Sequence, residues 1–242
     1  MKRLVSLAVC VVSLLLTAAV GAVPPNSIPA GANAAVSIDI AELLKSPIAV
    51  KNSWQSNMIR GYANKPLAIP PYATHLLSSA LITPSTMEPM WQLSFADMPA
   101  PTNLEKIAEA QKGFMEEMAG RKAAWTPRGV YYIQVTDKVL ATAYPAQRQL
   151  LVKLLESSGQ LPRDAVLPML LAQAKGQIRI ALDLDKAFSF GQVQHAMSMG
   201  GFPSLDKYDQ SLPELFHALS TVKSLHMGIV ADDDLTGSVV VE

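Results

Sequence analysis

The chain has 242 residues; half are apolar, 17 % are charged, and Lys+Arg equals Asp+Glu at 20 each. That composition excludes a disordered acidic tail, a basic nucleic-acid binder and a collagen-like repeat. It assigns no chemistry by itself.

Lys2 and Arg3 precede an apolar stretch from Leu4 to Val20. Val20-Gly21-Ala22 then puts small residues at −3 and −1 of a cleavage site, before Val23-Pro24-Pro25. This pattern predicts a secretory signal peptide over 1–22 and an exported product, periplasmic or extracellular. An uncleaved anchor fits less well, because the apolar stretch sits at the lower limit for a span and no basic stop-transfer cluster follows. Cys10 stands too early in the apolar run, and after Val9, to be a lipoprotein cysteine. Cleavage leaves no stable membrane span. It removes Lys2, Arg3 and no acidic residue, so 18 basic and 20 acidic side chains remain, a net charge of −2. Nothing there steers the protein toward nucleic acid or anionic lipid. Cys10 is the sole cysteine, so the mature chain has no disulfide, thiol nucleophile or zinc–thiolate site.

Val23 to Asn33 is rich in Pro, Gly and Asn and reads as an extended lead-in. Ala34 to Ile40 alternates, with Val36, Ile38 and Ile40 on one face and Ser37 and Asp39 on the other, which predicts a strand. A helix over Ala41 to Lys45 follows. Ser46-Pro47 opens a second helix through Trp54, Met58 and Ile59, ended by Pro66, Pro70 and Pro71. Thr74–Ile82 and Met90–Phe95 read as a hairpin across Thr83-Pro84-Ser85-Thr86. Thr102 with Glu105 gives a capping box for the next helix. The strands Phe114–Ala119, Ala123–Trp125, Val130–Val135 and Val139–Ala143 form an antiparallel meander. Pro145 is placed at a helix N-terminus, and Leu150, Leu151, Leu154 and Leu155 form that helix's apolar stripe. The remainder reads as helix Arg163–Ala174, strand Gln177–Leu184, helices over Phe190–Met199 and Leu212–Leu219, and strands Ser224–Val230 and Gly237–Val241 flanking Asp232-Asp233-Asp234.

Two stretches are alike. Val36 to Leu44 and Ile180 to Phe188 each run a strand ending apolar–Asp–apolar into a helix, and each is followed by a hairpin. The expected fold class is therefore α+β: two related β-α-β-β units with predominantly antiparallel sheets, over residues 34–158 (with the meander) and 159–242. On this pattern His75 and His226 occupy equivalent hairpin strands. The second unit stops at Val239-Val240-Val241-Glu242 with no polar tail. Either a closing strand is tied into the sheet or the second unit is truncated and the chain is part of a longer protein; the second is favoured.

Ile28-Pro-Ala-Gly-Ala-Asn-Ala-Ala-Val-Ser-Ile-Asp39, followed by Leu43-Leu-Lys-Ser-Pro47, resembles the mature N-terminus of an uncharacterised family of secreted bacterial proteins. These open with a PA-x-A-x-A-hydrophobic-D strand and an LL-x-SP helix start. The resemblance extends through Asn103 to Ala108, Trp125-Thr-Pro127 and Tyr144-Pro-Ala146. It implies an α+β fold and export, and carries no activity. Members run past the position where this chain stops.

Four clusters carry candidate chemistry. Asp39 and Asp183 close equivalent strands; paired across a pseudo-twofold axis they would serve as general acid and base, whereas singly each caps the helix after it. His195, Met197 and Met199 are soft donors suited to Cu(I), or are helix packing. Asp232, Asp233 and Asp234 are Ca²⁺ donors lacking the spacing of a calcium loop, or a charged turn. Trp54, Trp91, Trp125 and the Tyr131-Tyr132 pair form a peptide or glycan platform if exposed, and core if buried. No G-x-S-x-G, H-E-x-x-H, Walker A or G-x-G-x-x-G motif occurs, and no Ser/His/Asp set stands in a recognisable context. The expected function is a non-catalytic binding or structural module without a cofactor. Its partner is a protein or glycan met through a sheet edge or an aromatic surface. The alternatives are the carboxylate-pair enzyme and the Met/His metal binder.

Overall fold

The computed structural model describes residues 27–62, 70, 72–83, 89–157, 166–187 and 221–242. The alternating segments form strands: β1 (Ala34–Asp39), β2 (His75–Ile82), β3 (Pro89–Asp97), β4 (Phe114–Met118), β5 (Arg121–Thr126), β6 (Val130–Thr136), β7 (Val139–Tyr144), β8 (Ile178–Asp183), β9 (Ser224–Ala231) and β10 (Leu235–Val241). The helices are α1 (Ile40–Lys45), α2 (Pro47–Lys51), α3 (Trp54–Tyr62), α4 (Leu104–Ala110), α5 (Arg148–Ser157), α6 (Val166–Gln173) and the short α7 (Leu184–Ala187). The fold class is α+β. The strands make one ten-stranded sheet in the order β10-β9-β8-β1-β2-β3-β7-β6-β5-β4, and every pairing in it is antiparallel.

Local chemistry sets the helix boundaries. Asp39 ends β1 and its carboxylate accepts from the Glu42 N–H at 3.0 Å, which starts α1 one residue earlier than the pattern predicts. Ser46 both ends α1 and caps α2, with Pro47 at its first position. The single helix expected from Pro47 onward is two, because Ser53 adopts φ 53° and turns the chain between α2 and α3. The cap of α4 is Asn103, accepting from the Lys106 N–H at 2.9 Å, in place of the predicted Thr102. Pro145 follows a cis peptide bond outside α5, which begins at Arg148. The helices expected at 190–199 and 212–219 lie outside the described residues, as does most of the turn after Thr83.

Side-chain alternation splits the core between the two faces of the sheet. On the first face, Leu77, Leu93, Phe95, Ile133 and Ala141 pack under Leu151, Leu154 and Leu155 of α5 and Leu167, Leu170 and Leu171 of α6. On the second, Leu104 and Ala108 of α4 cover Ala124, Val130, Tyr132 and Leu140. Ile40 and Leu44 of α1 and Met58 of α3 cover Leu76 and Ala96. Each large side chain buried this way stabilises the fold by about 1.5–3 kcal/mol.

The two halves meet at β1 and β8, where Val36 lies opposite Ile180. Outward from that ladder the order is β1-β2-β3 on one side and β8-β9-β10 on the other. The ends correspond too. Asp97 closes β3 opposite His75, and Glu242 follows β10 opposite Ser224, bonded to it through main chain and side chain. Ser224, two residues before His226, therefore stands where His75 does. Beyond β3 the sheet continues into β7. Two glycines settle how the chain enters β8. A Cβ at Gly228 would strike the Lys175 backbone and one at Gly176 the Ile229 carbonyl, so only glycine lets the β8 approach lie flat on β9.

Candidate functional site

Asp39 and Asp183 do not meet. Asp39 N–H bonds the Gln177 carbonyl and Asp183 N–H the Asn33 carbonyl, so the two acids close opposite ends of the β1–β8 ladder. Six positions at the strand rise put them about 20 Å apart. An inverting acid–base pair sits within about 10 Å, so the expected carboxylate pair is corrected to two separate residues. Asp39 caps α1, as its helix-start position suggests. Asp183 is buried. His195, Met197 and Met199 lie outside the described residues. Asp232 to Asp234 form the exposed turn between β9 and β10, with the Asp232 N–H on the Asp234 carbonyl and the Asp232 carbonyl taking the Ile48 N–H. Among the described residues no group of three or more His, Cys, Asp or Glu side chains is placed to hold a metal. Trp91, Tyr131 and Tyr132 are core residues, and half-buried Trp125 stacks on Phe114 with ring centroids 5.0 Å apart.

A polar row that the sequence did not disclose runs along the first face across β8, β1, β2 and β3. Arg179 Nη2 donates to Ser37 Oγ at 2.9 Å. Ser37 Oγ lies 3.0 Å from His75 Nε2. His75 Nδ1 faces Asp97 Oδ2 at 3.7 Å. A hydroxyl oxygen can accept from Arg179 and still either donate to or accept from Nε2, so the direction of the Ser37–His75 bond follows the imidazole tautomer. Nδ1 makes no hydrogen bond at its distance from Asp97. Burial holds the His75 pKa below its ordinary value; Asp97, and Asp39 opposite it on β1, pull it up and Arg179 pushes it down. His75 is therefore a neutral imidazole at neutral pH.

The order Ser–His–Asp invites a catalytic reading, and the geometry opposes it. Ser37 is only 4 % exposed. The β1 amides are engaged in ladders with β2 and β8, leaving no pair of free N–H groups beside Ser37 to hold an oxyanion. The row is a polar bridge laid across four neighbouring strands. A depression of about 360 Å³ beside α4, lined by Asn103, Glu105, Met115, Lys122 and Gln134, is open and brings no reactive set together.

The two sheet edges differ. Glu116 and Glu117 lie on β4, and Arg148 guards them by pairing with Glu116 and donating to the Glu117 carbonyl at 2.8 Å. Burial first, and Glu116 second, push the neighbouring Tyr131 hydroxyl up to about 12. β10 reads Leu-Thr-Gly-Ser-Val-Val-Val, with no charge and no proline. Leu235 is 53 % exposed, Val239 53 %, Val240 43 % and Val241 54 %. Leu235, Val239 and Val241 share the second face with half-buried Leu225, Met227 and Ile229 of β9 and Ile178, Ile180 and Leu182 of β8. The far edge of β10 has no partner among the described residues.

No family model matches the chain, and no curated protein matches it at a significant level. Among solved structures it is similar to crystal form I of TP0453, with TM-score 0.52 and 11 % identity over 92 % of this chain and 79 % of that one. Crystal form III of TP0453 gives TM-score 0.52 and 9 % identity over 92 % and 80 %. At such identities the likeness shows the fold alone.

The neutral state of His75 has a pH signature. Its folded pKa lies below the unfolded value of about 6.5, so the unfolded chain binds the extra proton. That contribution is intact above pH ~6.5 and is lost as pH falls toward the folded value. Urea midpoints measured between pH 5 and 8 are expected to drop on the acid side, and His75→Gln to remove that part of the drop. An identical slope in the variant would contradict the neutral imidazole.

Proposed function

We propose that this chain is an exported, non-catalytic binding module, built from two related β-α-β-β units, whose working surface is the β10 edge. The leader over residues 1–22 supports export to the periplasm or beyond. The mirrored strand order about Val36 and Ile180 supports two related units. So does the shared end pairing of Asp97 with His75 and Glu242 with Ser224. An enzyme built on Asp39 and Asp183 loses its basis in their separation.

The observation that carries the binding role is β10. Its outer N–H and C=O groups have no described partner, its side chains are apolar and exposed, and it has none of the charges that protect β4. Strands left in that state pair with another polypeptide. Of the rings considered for a glycan platform, Trp91, Tyr131 and Tyr132 are buried and Trp54 and Trp125 are half-buried, the latter stacked against Phe114, which leaves no continuous exposed ring surface among those five. The open edge of β10 supports an extended polypeptide segment as the ligand.

Two measurements test this reading. Val239→Lys/Val241→Lys puts charge on the edge without touching the buried core. It is expected to weaken the uptake of extended apolar peptides by about tenfold or more at unchanged Tm. Equal binding by variant and wild type, or no peptide binding by either, would overturn it. For export, intact-mass analysis of the protein recovered outside the cytoplasm is expected to find Val23 at the N-terminus. A product retaining residues 1–22 would overturn the cleavage.

A further inference from the structure

The polar row lies across the joint between the two halves, and one oxygen carries it there. Ser37 Oγ on β1 takes the Arg179 guanidinium from β8 at 2.9 Å and meets His75 Nε2 from β2 at 3.0 Å. On the other side of the ring, Nδ1 is buried without a hydrogen bond and stands 3.7 Å from Asp97 Oδ2 on β3. The imidazole therefore has two neighbours on opposite sides: a hydroxyl that it holds and a carboxylate just beyond hydrogen-bond reach. Its charge decides which one it favours. A neutral ring meets Ser37 as donor or acceptor. A protonated ring donates at both nitrogens. Nε2–H and the guanidinium are then two cations on one oxygen, while the Asp97 carboxylate attracts Nδ1–H. One proton thus weakens the β1 side and strengthens the β3 side. The other side-chain clamps near the joint, Asn33 on Ile82 and Gln177 on Ala231, each stay within one half.

From this geometry we propose that the row is an acid-responsive seam: protonation of His75 moves its hold from Ser37 to Asp97, and the β1–β8 ladder loosens while the β2–β3 ladder stays closed. This goes beyond a loss of global stability in acid, because it names the ladder that opens first. The charges around the ring support that direction. Asp39 lies opposite His75 on β1 and Asp97 opposite it on β3, and Arg179 reaches it from β8. Asp39 is already engaged, accepting from the Glu42 N–H. α1 packs on the other face of β2, and its Glu42 and Lys45 pair with each other at 2.7 Å. α6, packed against β1 and β8 on the first face, carries no charged side chain. Among the described residues Arg179 is therefore the cation that meets the new charge, and Arg179 is the group that ties β8 to Ser37. Burial keeps the ring neutral until the medium turns acidic, which sets the resting state of the seam as closed.

Nuclear magnetic resonance on the full chain tests the seam. Ring nitrogen shifts follow the titration of His75, and amide exchange in the same samples, expressed as protection factors, follows each ladder. The reporters are the amides of Asp39 and Asp183, bonded across the two ends of the β1–β8 ladder. Amides of the β5–β6 ladder are the reference. As pH falls through the midpoint of the ring, protection of the two reporters is expected to drop at least about tenfold, and that of the reference by less than about twofold. His75→Gln keeps a neutral partner for Ser37 and is expected to abolish the drop. Asp97→Asn removes the carboxylate that receives the ring and is expected to move the midpoint further down. Equal loss in both ladders would reduce the effect to global acid destabilisation and overturn the seam. Reporter protection that stays constant through the ring titration would do the same. So would a drop that persists in His75→Gln, which would assign it to another group such as buried His226. Should His75→Gln not fold, Asp97→Asn decides, and a midpoint equal to that of the wild type would refute the transfer to Asp97.

Discussion

The ladder between β1 and β8 is the constraint on which the rest of the molecule depends. It joins segments about 144 positions apart in the chain and turns two short sheets into one. Without it, β1-β2-β3 with the meander and β8-β9-β10 would each present an open edge in the middle of the core. Its centre, Val36 against Ile180, also sets what meets what. Residues at matching positions of the two halves approach only at that centre and diverge in opposite directions from it. The separation of Asp39 from Asp183 follows from this alone. β3 lies in the interior because β7 pairs with its outer edge, whereas β10 is the last strand of the sheet among the described residues.

The polar row reinforces the same joint. Arg179 and Ser37 face each other across the ladder, and His75 and Asp97 continue the row into β2 and β3. Unpaired, these groups would cost more than any apolar replacement, because buried donors and acceptors lose water without compensation. The Arg179–Ser37 and Ser37–His75 bonds fix the register of β8, β1 and β2, since a one-residue slip would turn each to the other face, while His75 Nδ1 and Arg179 Nε are buried without a hydrogen bond. The Ser–His–Asp order is thus a by-product of register, built around a buried Ser37 hydroxyl.

Much of the architecture was legible. Period-two alternation located β1 and β8 to within a residue or two, because apolar side chains (Val36, Ile38, Ile178, Ile180, Leu182) line one face and polar ones stand on the other. The structure nevertheless buries Ser37 and Asp183 of the polar-bearing face more deeply. Asp39 announced its helix because a short acceptor is favoured where amides are unpaired. Pro145 misled, since its fixed φ suits a helix start but equally suits the loop it occupies. Thr102 misled because its neighbour Asn103 competes for the same role. The polar row was not legible. Ser37, His75, Asp97 and Arg179 come from four strands, and only the pairing register, which no local pattern encodes, brings them together. The β10 edge was partly legible: the run Val239-Val240-Val241 is visibly uncharged, but its place at the margin of the described sheet is a property of strand order.

The central claim is that β10 is a prepared edge and the β1–β8 ladder the sheet's fixed centre. Hydrogen exchange of individual amides in dilute, monomeric protein tests it most directly. The account predicts slow exchange throughout β1 and β8. In β10 it predicts alternation, with the amides bonded to β9 protected and those pointing outward exchanging freely. Uniform protection along β10 in the monomer, or exchange in β8 as fast as in the outward β10 amides, would contradict it.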